Sequence, residues 1–211
     1  SFVATSRNDN HGGNMKIKNN YFVNSWINQV NQLKLSAELI LIEWNPPEEE
    51  PRLKDEIKFK FKLHPGAQVK IITVPKEIHE KYEYSDKINL YQMIAKNVGI
   101  VRSEAEYIIC TNTDILFSQK LLNEIDNLAL KKNIVYRADR HDIDLDKFDN
   151  YDIDTENFFK TKTVINTKYY SHDLIKNKKY YVNRSLKNYI INFYPIIKFI
   201  FFSDTPTQNE M

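Results

Sequence analysis

Tyr107-Ile108-Ile109-Cys110-Thr111-Asn112-Thr113-Asp114 is the stretch on which the fold turns. An uninterrupted apolar run enters a polar tetrad, the pattern of a strand covered on both faces that ends in an open loop. Phe2-Val3-Ala4-Thr5-Ser6-Arg7-Asn8-Asp9 has the same form at the start of the chain. Open α/β sheets bind ligands beyond the carboxyl ends of their strands. The two polar stretches are therefore expected to face one crevice.

The segments between them alternate. A strand at 2–6 ends in a polar loop with His11-Gly12-Gly13, and Phe22, Trp26, Val30 and Leu33 then mark one face of a helix. Residues 37–43 read as a doubly covered strand, stopped by Pro46-Pro47. A third strand spans 69–74. Leu90, Met93, Ile94, Asn97 and Val98 mark a helix closed at Gly99, and a fourth strand spans 106–110. A short helix at 116–128 and a fifth strand at 133–137 complete the pattern. Alternation of this kind predicts a mostly parallel central sheet with helices on both faces, an α/β (Rossmann-like) class. From Asp139 onward periodicity fades, and irregular structure with short helices packed beside the sheet is expected. One domain is expected over 1–211, its binding part at 1–142 and its C-terminal part at 143–211.

The 211 residues, 42% of them hydrophobic, suffice for one sizeable core. A formal charge of +2 does not point to nucleic acid as a partner. The single cysteine, Cys110, rules out an internal disulfide and fits a reducing, cytoplasmic compartment; on a central strand it is expected to be a buried structural thiol. The longest apolar run, 189–202, is broken by Asn192, Pro195 and Lys198 and is too short for a membrane span, so no transmembrane segment is expected. Ser1 leads straight into a strand without a visible signal peptide, and from the missing initiator Met a processed or excised chain is expected.

Chemistry is expected at the strand ends. Asp114, with Asn112 beside it, is placed to hold a hard divalent cation, Mn²⁺ or Mg²⁺, that bridges a diphosphate; the bland alternative is an Asp that caps the next helix. Thr5, Ser6, Arg7 and Asp9 end the first strand, where Arg7 suits phosphate and Asp9 a ribose hydroxyl or base N–H; the alternative is an Asx turn. Glu43 is placed to accept the N3–H of uracil. Lys96 and Asn97 precede the fourth strand, Thr113 lies inside the motif, and Arg137 closes the fifth strand. The series Asp139, Asp142, Asp144, Asp146 lacks the Gly and terminal Glu of a calcium loop. No Walker loop, Gly-x-Gly-x-x-Gly or zinc-type Cys/His spacing occurs, and 4 glycines disfavour glycine-cradled phosphate sites.

The order of these segments, with Lys96-Asn97-Val98-Gly99-Ile100 ahead of a strand that ends in Asn112-Thr113-Asp114, resembles the GT-A glycosyltransferases. In that family a helix bearing Arg/Lys-Asn-x-Gly-Ile precedes an Asp-x-Asp motif, whose first carboxylate is here an amide. The resemblance implies a nucleoside-diphosphate sugar donor, most often a UDP-sugar, with Mn²⁺ or Mg²⁺; it does not establish the acceptor, for which a glycan or glycoprotein is expected, with transfer of a hexose or deoxyhexose. It also implies a catalytic base in the C-terminal part, for which Asp204 and Glu210 are candidates. A metal-dependent phosphohydrolase or nucleotidyltransferase and a non-catalytic nucleotide-sugar-binding module are the competing classes.

Overall fold

A computed structural model describes residues 1–9, 13–127, 130, 136, 138–144, 164–168, 170–173, 178–181 and 196–202. The chain divides into two compact units, Ser1–Ile115 and Leu116–Met211.

The first unit is built on an all-parallel sheet of β1 (Phe2–Ser6), β2 (Ala37–Trp44), β3 (Ala67–Val74) and β4 (Ile109–Cys110), in the order β3-β2-β1-β4. The order reverses at β1: the chain winds outward to β3, then returns to lay β4 on the other side of β1. Two helices cover the sheet, α1 (Met15–Leu33) and α4 (Gln92–Val101); α2 (Leu53–Glu56) and α3 (Lys76–His79) are single turns. Successive strand residues point to opposite faces, and the packing follows that rule. Phe2 meets Trp26 of α1 edge to face, with ring centroids 5.7 Å apart. Val3, Ile40 and Ile42 form the other core with Ala95 of α4. Helices thus lie on both faces, as the alternation predicts.

α1 buries polar residues as well as its apolar stripe. Its asparagines grip the backbone of the alternating segment Lys58-Phe59-Lys60-Phe61-Lys62, which joins no sheet. Asn20 Oδ1 accepts from the Lys58 N–H at 2.8 Å. Asn24 donates to the Lys58 carbonyl at 2.9 Å and accepts from the Lys60 N–H at 2.7 Å. Asn31 donates to the Lys62 carbonyl and accepts from the His64 N–H. A side-chain amide has a donor and an acceptor side by side, so each asparagine serves as one rung of a strand partner. Asn24→Ala, at a residue 1% exposed, removes both partners of one such rung. Denaturant unfolding is expected to show a loss of about 2–3 kcal/mol, the cost of two orphaned backbone groups near the core.

The second unit differs from the expected irregular structure. β6 (Ala138–Asp144) pairs antiparallel with β7 (Val164–Lys168) and with β10 (Ile196–Phe202), in a sheet of order β5-β10-β6-β7 that includes β5 (Ile115–Phe117). β8 (Tyr170–Asp173) and β9 (Lys178–Tyr181) form a separate antiparallel pair. The helix expected from 116 begins later, as α5 (Gln119–Asn127), because Ile115-Leu116-Phe117 is a strand. Ser118 caps that helix, its Oγ accepting from the Leu121 N–H at 3.1 Å. The strand expected at 133–137 lies outside the described residues except for Tyr136. Among the described residues no helix is long and apolar enough to cross a membrane.

β4 is shorter than expected, two residues in place of five. Among the described residues it pairs with β1 alone, through Phe2↔Ile109 and Val3↔Cys110. At that edge Cys110 is exposed, which corrects its reading as a buried thiol.

Candidate functional site

A cleft of ≈ 550 Å³ opens where the strand order reverses, between the carboxyl ends of β1 and β4. Thr5, Ser6, Arg7 and Asp9 line it from one strand end, and Asn112, Thr113 and Asp114 from the other. The juxtaposition expected from the two polar stretches is therefore present. Met15 and Lys18 of α1 and the segment Lys87-Ile88-Asn89-Leu90, followed by Gln92 of α4, complete the wall. All these residues belong to the first unit.

The β1 side is a turn held by its own side chains. Asn8 takes the left-handed conformation (φ 58), which asparagine tolerates. Its N–H donates to Ser6 Oγ at 3.2 Å, and its amide donates to the Pro51 carbonyl at 2.6 Å. Ser6 Oγ also accepts from Asn19 of α1. Ser6 and Asn8 thus fix the loop, through a serine hydroxyl rather than through the Asn/Asp side-chain turn that was the alternative. Arg7 reaches over it: Nε donates to the Asn45 carbonyl at 2.9 Å, and Nη1 pairs with Asp9 Oδ2 at 2.8 Å. Thr5 is 5% exposed, and its hydroxyl has no hydrogen-bond partner among the described residues.

The β4 side is governed by α4. Asn112 Oδ1 accepts from Lys96 Nζ at 2.9 Å and from Gln92 Nε2 at 2.8 Å. Gln92 and Lys96 are four residues apart on one helix face, the spacing at which two side chains reach the same point. A lysine ammonium has no acceptor, so the amide oxygen must face it and the amide NH₂ must face away. Burial pushes the Lys96 ammonium below the ordinary lysine range, with charge on Cys110 and Asp114 opposing the shift. Asp114 is half-buried and is followed by β5, so it does not cap a helix.

The opposite wall is pinned to β2. Trp44 Nε1 donates to His79 Nδ1 at 2.8 Å, which leaves the proton of a neutral imidazole on Nε2, 3.0 Å from the Ser85 carbonyl. Tyr91 donates from its hydroxyl to the Glu83 carbonyl and packs on Trp44, His79 and Tyr82. This aromatic clamp sets the segment that presents Lys87, Asn89 and Leu90.

Several expected roles are corrected. Glu43 does not reach the cleft: it is fully buried, and its carboxylate accepts from the Leu53 N–H and from the Thr73 hydroxyl, each at 2.7 Å. It anchors the segment after β2 and cannot read a base. Asn97 is exposed on α4, and neither it nor Lys96 lines the cleft; Lys96 touches the lining only through Asn112. Arg137, Asp204, Glu210 and the loop residues His11 and Gly12 lie outside the described residues. Lys18, Lys87, Asn89 and Gln92 carry no motif in the sequence. Gln92 alone had a usable signal, its four-residue offset from Lys96.

The donor set does not fit the expected chelate. Among the described residues no three carboxylate, imidazole or thiol groups converge on one point. The Asn112 oxygen faces an ammonium, an arrangement that opposes metal ligation. A Mg²⁺-sized ion would sit about 2.1 Å from that oxygen, hence within about 5 Å of Nζ. At that range a dication and an ammonium repel by on the order of 6 kcal/mol at a near-surface effective dielectric of about 20. Asp9 is engaged with Arg7, and Asp114 is by sequence the one carboxylate within Asn112-Thr113-Asp114.

No protein-family model, curated protein or solved structure matches the chain.

Proposed function

We propose that the chain carries a nucleotide-sugar-dependent glycosyltransferase domain of the GT-A type, its donor seated in the β1/β4 cleft. The observation that carries this reading is the cleft's position: Thr5 to Asp9 and Asn112 to Asp114 meet at the point where a β3-β2-β1-β4 sheet reverses, where doubly wound sheets take nucleotides. The lining chemistry supports it. Arg7, Lys18 and Lys87 supply positive charge for a diphosphate, and Thr5, Asp9 and Asp114 supply partners for ribose and sugar hydroxyls. The Lys-Asn-x-Gly-Ile helix ahead of the motif agrees with the family resemblance.

In the transfer, an acceptor hydroxyl oxygen bonds to the anomeric carbon as the bond from that carbon to the diphosphate oxygen breaks. The electron pair departs with the diphosphate, and the hydroxyl proton passes to a base. Uridine is the base that the resemblance favours, and a glycan or glycoprotein supplies the acceptor. The test is a thermal-shift panel of nucleoside diphosphates, followed by detection of UDP released from UDP-sugars with glycan acceptors. A rise in midpoint with UDP and acceptor-dependent release are expected. Binding without release identifies a nucleotide-sugar-binding module, and no shift with any nucleotide rules out the cleft as a nucleotide site.

A further inference from the structure

The donor set around Asn112 excludes one arrangement and points to another. We propose that the cleft holds its diphosphate through the protein's own cations, with Lys96, behind the lining, occupying the Asn112 oxygen that a chelated metal would need, so that binding requires no divalent ion. This inference rests on the nucleotide reading of the cleft.

The station is built rather than incidental. Lys96 sits on α4 one residue from Ala95, which is completely buried against the sheet. Three residues further, Gly99 packs so closely that a Cβ there would lie 2.5 Å from Val3 Cγ1. The helix therefore cannot slide or turn without opening the core. From this base Lys96 and Gln92 together orient the Asn112 amide, so the motif offers the ligand an N–H donor rather than a metal-binding oxygen. Fixed donors of this kind suit an anion.

Further cations come from separate elements. Arg7 follows β1, Lys18 is nearly buried on α1, and Lys87 lies on the segment held by the Trp44–His79 clamp. Against them the lining carries two carboxylates, Asp9 and Asp114. The buried Thr5 hydroxyl, with no partner among the described residues, adds one more group ready for a ligand oxygen. Phosphate charge is thus met by single positive charges from the loop after β1, from α1 and from the turn at Lys87.

The experiment is titration calorimetry with UDP, and with GDP, ADP and CDP in parallel, on the whole chain, in EDTA and in MnCl₂ at equal ionic strength. The dissociation constant for the preferred nucleotide is expected to agree within about threefold between the two buffers, since phosphate binding here is by fixed cations. Lys96→Met is expected to weaken it by tenfold or more in both. Asn112→Asp supplies a second motif carboxylate that pairs with Lys96; it is expected to weaken binding tenfold in EDTA and to regain it in MnCl₂. Binding by the unaltered chain in MnCl₂ that disappears in EDTA overturns the metal-free grip and leaves the nucleotide site standing. A Lys96→Met protein that binds like the unaltered chain overturns the role of Lys96. No heat with any nucleotide in either buffer overturns the nucleotide reading, and this inference with it.

Discussion

Gly99→Val is expected to destabilise the first unit by about 3 kcal/mol or more, the upper range for overpacking a tight core. The position tolerates no side chain. A Cβ would meet Val3 Cγ1 at 2.5 Å, Val3 Cγ2 at 3.4 Å and Ile42 Cδ1 at 3.5 Å, and both neighbours are completely buried. Neither has anywhere to go, because Val3 is in the central strand and Ile42 in the strand beside it. Gly99→Ala supplies the finer test. Alanine gains about 1 kcal/mol of helix propensity over glycine, so any net loss measures the clash directly. Val3→Ala removes the offending methyl, and the double variant should recover part of the loss that Gly99→Ala causes. Denaturant unfolding of the four species closes a double-mutant cycle. Additive losses would show that α4 and β1 are less closely engaged than the packing requires. Since α4 carries Gln92 and Lys96, the same clash should also displace the Asn112 lock and weaken nucleotide binding.

That coupling of core to site bears on what the sequence could and could not reveal. β1 and β2 were legible because strands covered on both faces have no polar side to mark, as Phe2-Val3-Ala4 and Leu39-Ile40-Leu41-Ile42 show. Placement of the two polar stretches at one cleft followed from strand ends in an open α/β sheet, a rule that needs no side-chain detail. The apolar stripe of α1 was legible in Phe22, Trp26 and Val30, all buried. Its asparagine face was not, because Asn20, Asn24 and Asn31 serve a backbone segment some forty residues away or nearer in the chain. Glu43 failed for the same reason: its partners, Leu53 and Thr73, are local to nothing in its own segment. β6 escaped notice because Ala138-Asp139-Arg140-His141-Asp142 has no apolar alternation, and its pairing depends on residues as distant as Ile196–Phe202. The Lys96–Asn112 contact depends on helix phase and on the closeness of α4 to β1. Motif spacing alone could suggest an Asn-x-Asp chelate, and only the packing shows the amide turned toward a lysine.

Asp114→Ala is expected to lower kcat/KM for transfer from a UDP-sugar by about 10²-fold, equivalent to losing one charge-assisted hydrogen-bond set of roughly 3 kcal/mol. Stability should change little, because the residue stands at a strand end and is only half-buried. The direction of the effect on the bare nucleotide is the more telling measurement. Asp114 is a negative charge in the proposed diphosphate cleft, whose lining cations are Arg7, Lys18 and Lys87. Removing that charge relieves repulsion toward the phosphates, so the dissociation constant for UDP should stay level or fall. The loss should appear instead with the sugar attached, where a carboxylate that accepts from sugar hydroxyls is missed. A cation anchored on Asp114 would reverse this pattern, since UDP and UDP-sugar would both lose the ion that bridges their phosphates. Calorimetry with UDP beside steady-state kinetics with a UDP-sugar separates the two cases. Equal weakening of both ligands would return Asp114 to the role of metal anchor, whereas a loss confined to the sugar-bearing ligand assigns it to sugar recognition.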